Sequence, residues 1–134
     1  MQKVLLFGTF DGLHPGHLNF FAQAAQFGKV FVIVARYQNV WKIKNRKPHF
    51  SEKSRLAKVA AQKNIFKAQL GEQKDFLRPI QKIRPDLICL GFDQKTFGIT
   101  ELKVKLKKID LSPKIIRLKS FHPEKYKSSL IPKK

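Results

Sequence analysis

The stretch GTFDGLHPGH, residues 8 to 17, sets His14 and His17 three residues apart, behind an apolar run and ahead of a run with helical spacing. At that separation two imidazoles share one face of a helix and can address a single ligand. Gly8 and Gly12 let the backbone turn sharply. Pro15 suits a first helical position, because the N–H it lacks has no intrahelical partner there. A helix beginning here would direct its unpaired amides and the positive end of its dipole to the same place, and an anion is what such groups attract. The stretch therefore reads as a phosphate cradle. Its glycines are not followed by the lysine of a P-loop, and the G-x-G-x-x-G dinucleotide fingerprint is not met. Each histidine also has a purely structural reading, as a helix cap or a packed turn residue.

Elements on either side must position these groups. KVLLF (residues 3 to 7) and KVFVIVA (29 to 35) read as buried strands, and HPGHLNFFAQAAQFG between them as a helix. Its apolar face is drawn through Leu18, Phe21, Ala22, Ala25 and Phe27, with Gly28 as its stop. SEKSRLAKVAAQKN (51 to 64) predicts a second helix capped by Ser51, with Leu56, Val59 and Ala60 on one face. IFKAQL is a strand, DFLRPIQKI a short helix strained by Pro79, PDLICLG a strand, TELKVKLKKI a helix and KIIRL a last strand. Strict alternation predicts an α/β chain. We expect a single Rossmann-like domain spanning residues 1–134, with an open five-stranded parallel sheet flanked by helices. The cradle then falls at the carboxyl end of the first strand, where open α/β sheets bind ligands.

Bulk properties narrow the partners. The 134 residues hold 28 Lys and Arg against 9 Asp and Glu, a formal net charge of +19. The bases are unevenly spread, since residues 101 to 134 contain eleven of them against Glu101, Asp110 and Glu124. Such a field favours phosphorylated small molecules or polyanions. No apolar stretch reaches the ~20 residues a membrane span needs, and MQKVLLFGTFDG is too briefly apolar for a secretory signal, so a cytoplasmic location without membrane partners is expected. The lone Cys89, within DLICLG, excludes a disulfide or zinc framework and reads as a buried thiol.

GTFDGLHPGH resembles the signature of the nucleotidyltransferase superfamily, which includes glycerol-3-phosphate cytidylyltransferase, phosphopantetheine adenylyltransferase and the archaeal-type FAD synthetases. The likeness extends over nearly the whole chain. ARYQNVWKIKNRKPHFSEKSRL (35 to 56) is similar to the basic loop and arginine-bearing helix of the FAD synthetase branch. RPDLICLGFDQ (84 to 94) resembles the strand and turn that contact the nucleotide, and RLKSFHPEKYKSSLI (117 to 131) lies where the family carries a second, Ser/Thr-rich signature.

The resemblance implies transfer of a nucleoside monophosphate from an NTP to a phosphorylated acceptor, with release of pyrophosphate. An acceptor oxygen attacking the α-phosphorus in line needs positioned anions and neutralised charge more than covalent help from the protein. On this basis His14 and His17 hold the reacting phosphates, with Gly8 and the amides of Thr9 and Phe10 beside them. Lys44 and Arg55 attract the acceptor phosphate or the leaving pyrophosphate, with Lys47 as a competing candidate; a solvated charged face is the alternative for all three. Gly91 and Asp93 meet the base or ribose, although Asp93 alternatively caps the next turn. Lys127, Ser128 and Ser129 address the β- and γ-phosphates. Mg²⁺ is implied as counter-ion, carried chiefly by substrate oxygens with Asp11 as a water-mediated contact. Tyr37 and Trp41, which flank the basic loop, offer rings on which a flavin stacks, or else pack as lid residues.

The branch implied is adenylyl transfer from ATP to FMN, with cytidylyl transfer from CTP to glycerol 3-phosphate as the alternative and a homodimer as the default assembly. A reading of another class is a non-catalytic RNA-binding module that uses the positive field and the aromatic residues interleaved in RYQNVWKIKNRKPHF. That reading gives no reason for two histidines at a helix start.

Overall fold

The computed structural model describes residues 2–36, 48–72, 75–91 and 99–118. Its elements alternate as expected: β1 (Lys3–Gly8), α1 (Pro15–Ala25), β2 (Lys29–Val34), α2 (Glu52–Ala60), β3 (Lys67–Leu70), α3 (Leu77–Ile83), β4 (Leu87–Leu90), α4 (Ile99–Lys107) and β5 (Lys114–Arg117). The five strands form one sheet in the order β3-β2-β1-β4-β5. Every pairing is parallel, with Val4 beside both Val30 and Leu87, and Ile88 beside Ile115. This is the open, Rossmann-like α/β sheet that the alternation of elements predicts.

Burial of both sheet faces explains why the strands read as unbroken apolar runs rather than alternating ones. Along β1, Val4 and Leu6 point to one face, where they pack with Val30, Val32 and Cys89, Phe21 and Ala24 of α1 and Val59 of α2. Leu5 and Phe7 point to the other, against Ile80 and Ile83 of α3 and Leu102 and Leu106 of α4. The chain winds outward from β1 through β2 to β3, then crosses back to β4 on the far side of β1. That reversal opens a crevice between the carboxyl ends of β1 and β4, the position at which such sheets bind ligands.

Several local expectations are corrected. Helix α1 ends at Ala25, three residues short of Gly28, and it buries Phe21 and Ala24 while Leu18 and Phe27 are each 42% exposed. Phe27 lies outside the helix, and Leu18, near its start, is left out of the core. In α2 Ala60 is exposed, and Arg55 is buried with Val59. Pro79 causes no strain, because it occupies the first turn of α3, where a backbone N–H has no helical acceptor. Ser51 caps α2 as expected, its hydroxyl accepting from the Ser54 N–H at 3.1 Å. Cys89 is fully buried, and burial pushes its thiol up to about 12, the setting of an inert packing residue. Among the described residues, no helix is long and apolar enough to cross a membrane.

Leu6 is fully buried at the centre of the sheet. Leu6→Ala is expected to cost about 3 kcal/mol through lost transfer energy and the cavity left behind, read as a lower urea midpoint at unchanged m-value.

Candidate active site

Six residues, Thr9 to His14, connect β1 to α1 at the mouth of the crevice. Their path depends on Phe10, which sits at a left-handed φ of 52° although it is neither Gly nor Asn. Such a conformation costs an L-residue of order 1 kcal/mol and persists only where packing enforces it. The Phe10 ring supplies that packing: it is 5% exposed, lies 5.3 Å from the Phe21 ring, and meets the edge of the His17 imidazole at 5.4 Å and 76°. It also accounts for Gly8, since a Cβ there would fall 2.5 Å from Phe10 Cζ. Gly8 thus makes room for a ring rather than a turn. The turn belongs to Gly12, at φ 95°, whose N–H donates to the Phe10 carbonyl at 3.0 Å.

The two histidines come together as the spacing predicts. Their rings are stacked, with centroids 3.8 Å apart and planes inclined by 24°. His14 is the N-cap of α1, with Pro15 at the first helical position, and its Nδ1 accepts the Gly16 N–H at 3.0 Å. His17 reaches back, its Nδ1 accepting the His14 N–H at 3.4 Å. The structural reading of these residues, as caps of the helix, is therefore met for both. Because both Nδ1 atoms are acceptors, the proton of each neutral ring resides on Nε2, so each ring carries a donor on the nitrogen not used by the helix.

Arg55, expected to attract the acceptor phosphate or the leaving pyrophosphate, is turned inward. It is fully buried in α2, which removes the solvated-face alternative. Its Nη1 donates to the carbonyls of Thr9 at 2.9 Å and Ala35 at 2.7 Å, and its Nε to that of Phe50 at 3.1 Å. One guanidinium thereby ties together the segments that leave β1 and β2 and the segment that enters α2. Nη2 is buried without a hydrogen-bond partner among the described residues. Burial lowers the affinity of Arg55 for its proton below the usual value, with Asp11 and Glu52 acting in the opposite sense.

Asp11 closes the same junction. Its Oδ2 accepts the His49 N–H at 2.6 Å and its Oδ1 the Phe50 N–H at 2.8 Å. Partial burial by itself would raise its pKa; the two amide bonds, with the nearby His49 and Arg55 side chains, outweigh that and hold the carboxyl below its usual range. Asp11 thus latches residues 48–50 to the cradle, a role the sequence did not suggest because its partners are backbone groups 38 and 39 residues away. Among the described residues, no three His, Cys, Asp or Glu side chains gather as a metal site. A second tie that the sequence did not reveal is Arg36, which donates to the Gly71 carbonyl at 2.7 Å and pairs with Glu52 at 3.2 Å.

Across the crevice Gly91 follows β4, where its carbonyl accepts from Arg117 Nη1 at 3.0 Å. Tyr37, Trp41, Lys44, Lys47, Asp93, Lys127, Ser128 and Ser129 lie outside the described residues.

The reversal point of the parallel sheet, a glycine-bearing loop and two stacked histidines capping the helix that follows make up the candidate site. The cytidylyltransferase-like family model matches residues 5–134, and the chain belongs to this family of enzymes. It is 44% identical over 119 residues to the FAD synthase of Methanosarcina mazei, covering 88% of this chain and 77% of that one. It is 39% identical over 130 residues to the FAD synthase of Archaeoglobus profundus, covering 96% and 82%. Among solved structures, the lipopolysaccharide core biosynthesis protein from Thermoplasma volcanium superposes with a TM-score of 0.85 at 33% identity, covering 90% of this chain and 98% of the other. Membership of an enzyme family sets catalysis above the non-catalytic RNA-binding reading.

Two substitutions test the junction. Arg55→Lys is expected to destabilise the fold by about 3 kcal/mol in urea unfolding, because one ammonium cannot span three carbonyls and leaves buried acceptors unpaired. Asp11→Ala is expected to cost about 1–3 kcal/mol at neutral pH through loss of its amide bonds. Since folding lowers the Asp11 pKa, its stabilisation is present above the unfolded value near pH 4 and is lost as pH falls through the folded one. The urea midpoints of wild type and variant should therefore converge as the pH is lowered below about 4.

Proposed function

We propose that this chain, acting as one nucleotidyltransferase domain, transfers AMP from ATP to FMN and releases pyrophosphate. The observation that carries the chemistry is the stacked His14–His17 pair at the start of α1, beside the crevice between β1 and β4. The acceptor is supported by the FAD synthases that this chain resembles at 39% to 44% identity over most of its length.

In this reading an FMN phosphate oxygen attacks the α-phosphorus of ATP in line. The new P–O bond forms as the bond to the β-phosphate oxygen breaks, and pyrophosphate leaves with the electron pair. No protein group gains or loses a proton, so the site's work is placement and charge stabilisation. The Nε2–H donors of His14 and His17 take the oxygens at the reacting centre, where positioned donors count most because negative charge accumulates there. Thr9, Phe10 and Gly12 line the cradle, and Gly91 admits the nucleotide from the β4 side. Lys44, Lys47, Tyr37 and Trp41 serve the acceptor, while Asp93, Lys127, Ser128 and Ser129 serve the nucleotide.

Mg²⁺ would neutralise charge on the triphosphate. Asp11 has one amide on each oxygen and no acidic cluster around it among the described residues, so it suits at most a water-mediated contact, and substrate phosphate oxygens would hold the ion. A cytoplasmic homodimer is the proposed setting.

Incubation with Mg²⁺, ATP and FMN should yield FAD and pyrophosphate in equal amounts. CTP with glycerol 3-phosphate should yield neither, and turnover with that pair alone would replace the flavin acceptor with a polyol phosphate. His17→Ala should lower kcat by about 10²–10³-fold or more while the far-UV circular dichroism is retained; normal turnover in that variant would sink the mechanism.

A further inference from the structure

We propose that Gly16 is a positioning residue of the cradle: the absence of a side chain there leaves the space in which the His14 imidazole sits as N-cap of α1, and that seat turns Nδ1 of His14 and His17 to backbone amides, so that Nε2 is the nitrogen that donates. The consequence for rate rests on the adenylyl-transfer reading; the seat itself is a property of the free protein.

Conformation does not require glycine at this position, since Gly16 lies in the first turn of α1 and is absent from the residues with positive φ. Space does. A Cβ on Gly16 would stand 2.8 Å from His14 Cε1 and 3.0 Å from His14 Nδ1. Real Cβ atoms essentially never come so close, so one group must move. The obstructed atoms belong to a side chain on a short stem at an exposed position, and rotation about χ1 relieves the clash without disturbing the backbone. Rotation takes His14 Nδ1 away from the Gly16 N–H and separates the ring from that of His17.

The tautomer follows from the same contacts. An imidazole with its proton on Nδ1 presents a donor to the amide it should accept from, so that tautomer does not fit the seat. Each ring of the pair accepts a backbone amide through Nδ1, from Gly16 for His14 and from His14 for His17, so the helix start selects the form that carries its proton on Nε2. Displacing His14 thus loses both the place of one donor and the constraint on which nitrogen donates.

Helix propensity sharpens the test, because Gly→Ala within a helix ordinarily stabilises it. Gly16→Ala should therefore leave the urea midpoint close to wild type, the gain in propensity offsetting the lost cap, while kcat for FAD formation falls about 10- to 100-fold, the scale set by misplacing one reacting group. Leu18→Ala, on the same turn at a 42% exposed position, is the control expected to match wild type in both. The direct readout is the long-range ¹H–¹⁵N correlation spectrum of histidine-labelled protein without nucleotide. Wild type should show His14 and His17 in the Nε2–H form, and Gly16→Ala should convert His14 to a mixture of tautomers. Wild-type His14 protonated on Nδ1 would overturn the proposal, as would a Gly16→Ala protein that keeps wild-type tautomers and wild-type kcat. If wild type makes no FAD, the acceptor reading fails, while the spectra still decide whether Gly16 seats His14.

Discussion

Three chain segments that are remote in sequence must meet at the carboxyl edge of the sheet if the cradle is to exist, and the fully buried guanidinium of Arg55 is the group that makes them meet. The carbonyls of Thr9, Ala35 and Phe50 would otherwise be acceptors turned toward the interior near strand ends, where the parallel ladder no longer provides partners. Arginine suits this position because its planar fork presents several donors in fixed directions, whereas an ammonium concentrates its charge at one point. Taking the charge out of water has a cost, and Asp11 and Glu52 lie close enough to offset part of it. Asp11 then extends the junction by accepting the amides of His49 and Phe50. The loop after β1 and the entry to α2 consequently behave as one unit, and the histidines stand on it.

The histidine pair shows how a single contact can serve folding and chemistry together. A helix start leaves amides without partners, and most helices satisfy them with Ser, Thr, Asp or Asn. Here imidazoles take that part, each through one nitrogen, and the second nitrogen of each becomes a donor of fixed identity. The ring of Phe10 lies under His17 and excludes a side chain at Gly8, so the left-handed strain at Phe10 is spent on keeping the loop clear of bulk beside the cradle. Charge supplies the longer-range part of the design. A net +19 gives the molecule a field that attracts anions in general, whereas the donors at the helix start are fixed in direction.

Much of this architecture was legible before any coordinates. The runs KVLLF, KVFVIVA and PDLICLG were legible as strands because both faces of a parallel sheet are covered, which makes every position apolar. Ser51 was legible as a cap because its partner lies three residues away. His14 and His17 were legible as a pair for the same reason: helical geometry alone brings them to one face. Ala60, Leu18 and Phe27 were misplaced on the core because apolar spacing does not say where a helix runs out of sheet to cover. Pro79 reads as a strain in a helix that runs from Asp75; Asp75 instead caps it, its Oδ1 accepting the Leu77 and Arg78 N–H groups at 3.1 and 3.2 Å, which puts Pro79 in the first turn.

By itself, then, the sequence determined the alternation of strands and helices, the turn at the end of β1 and the pairing of its two histidines at the helix start, since all of these arise from contacts within a few residues. Only the tertiary structure decided the strand order that opens the crevice between β1 and β4, the inward turn of Arg55 and the engagement of Asp11 with backbone amides. The strand order rests on pairs such as Val4 with Leu87, far apart in the chain, and Arg55 and Asp11 on backbone atoms 20 to 46 residues distant that every residue carries. No side-chain pattern marks such a partner, and only the packed fold brings it within hydrogen-bonding reach.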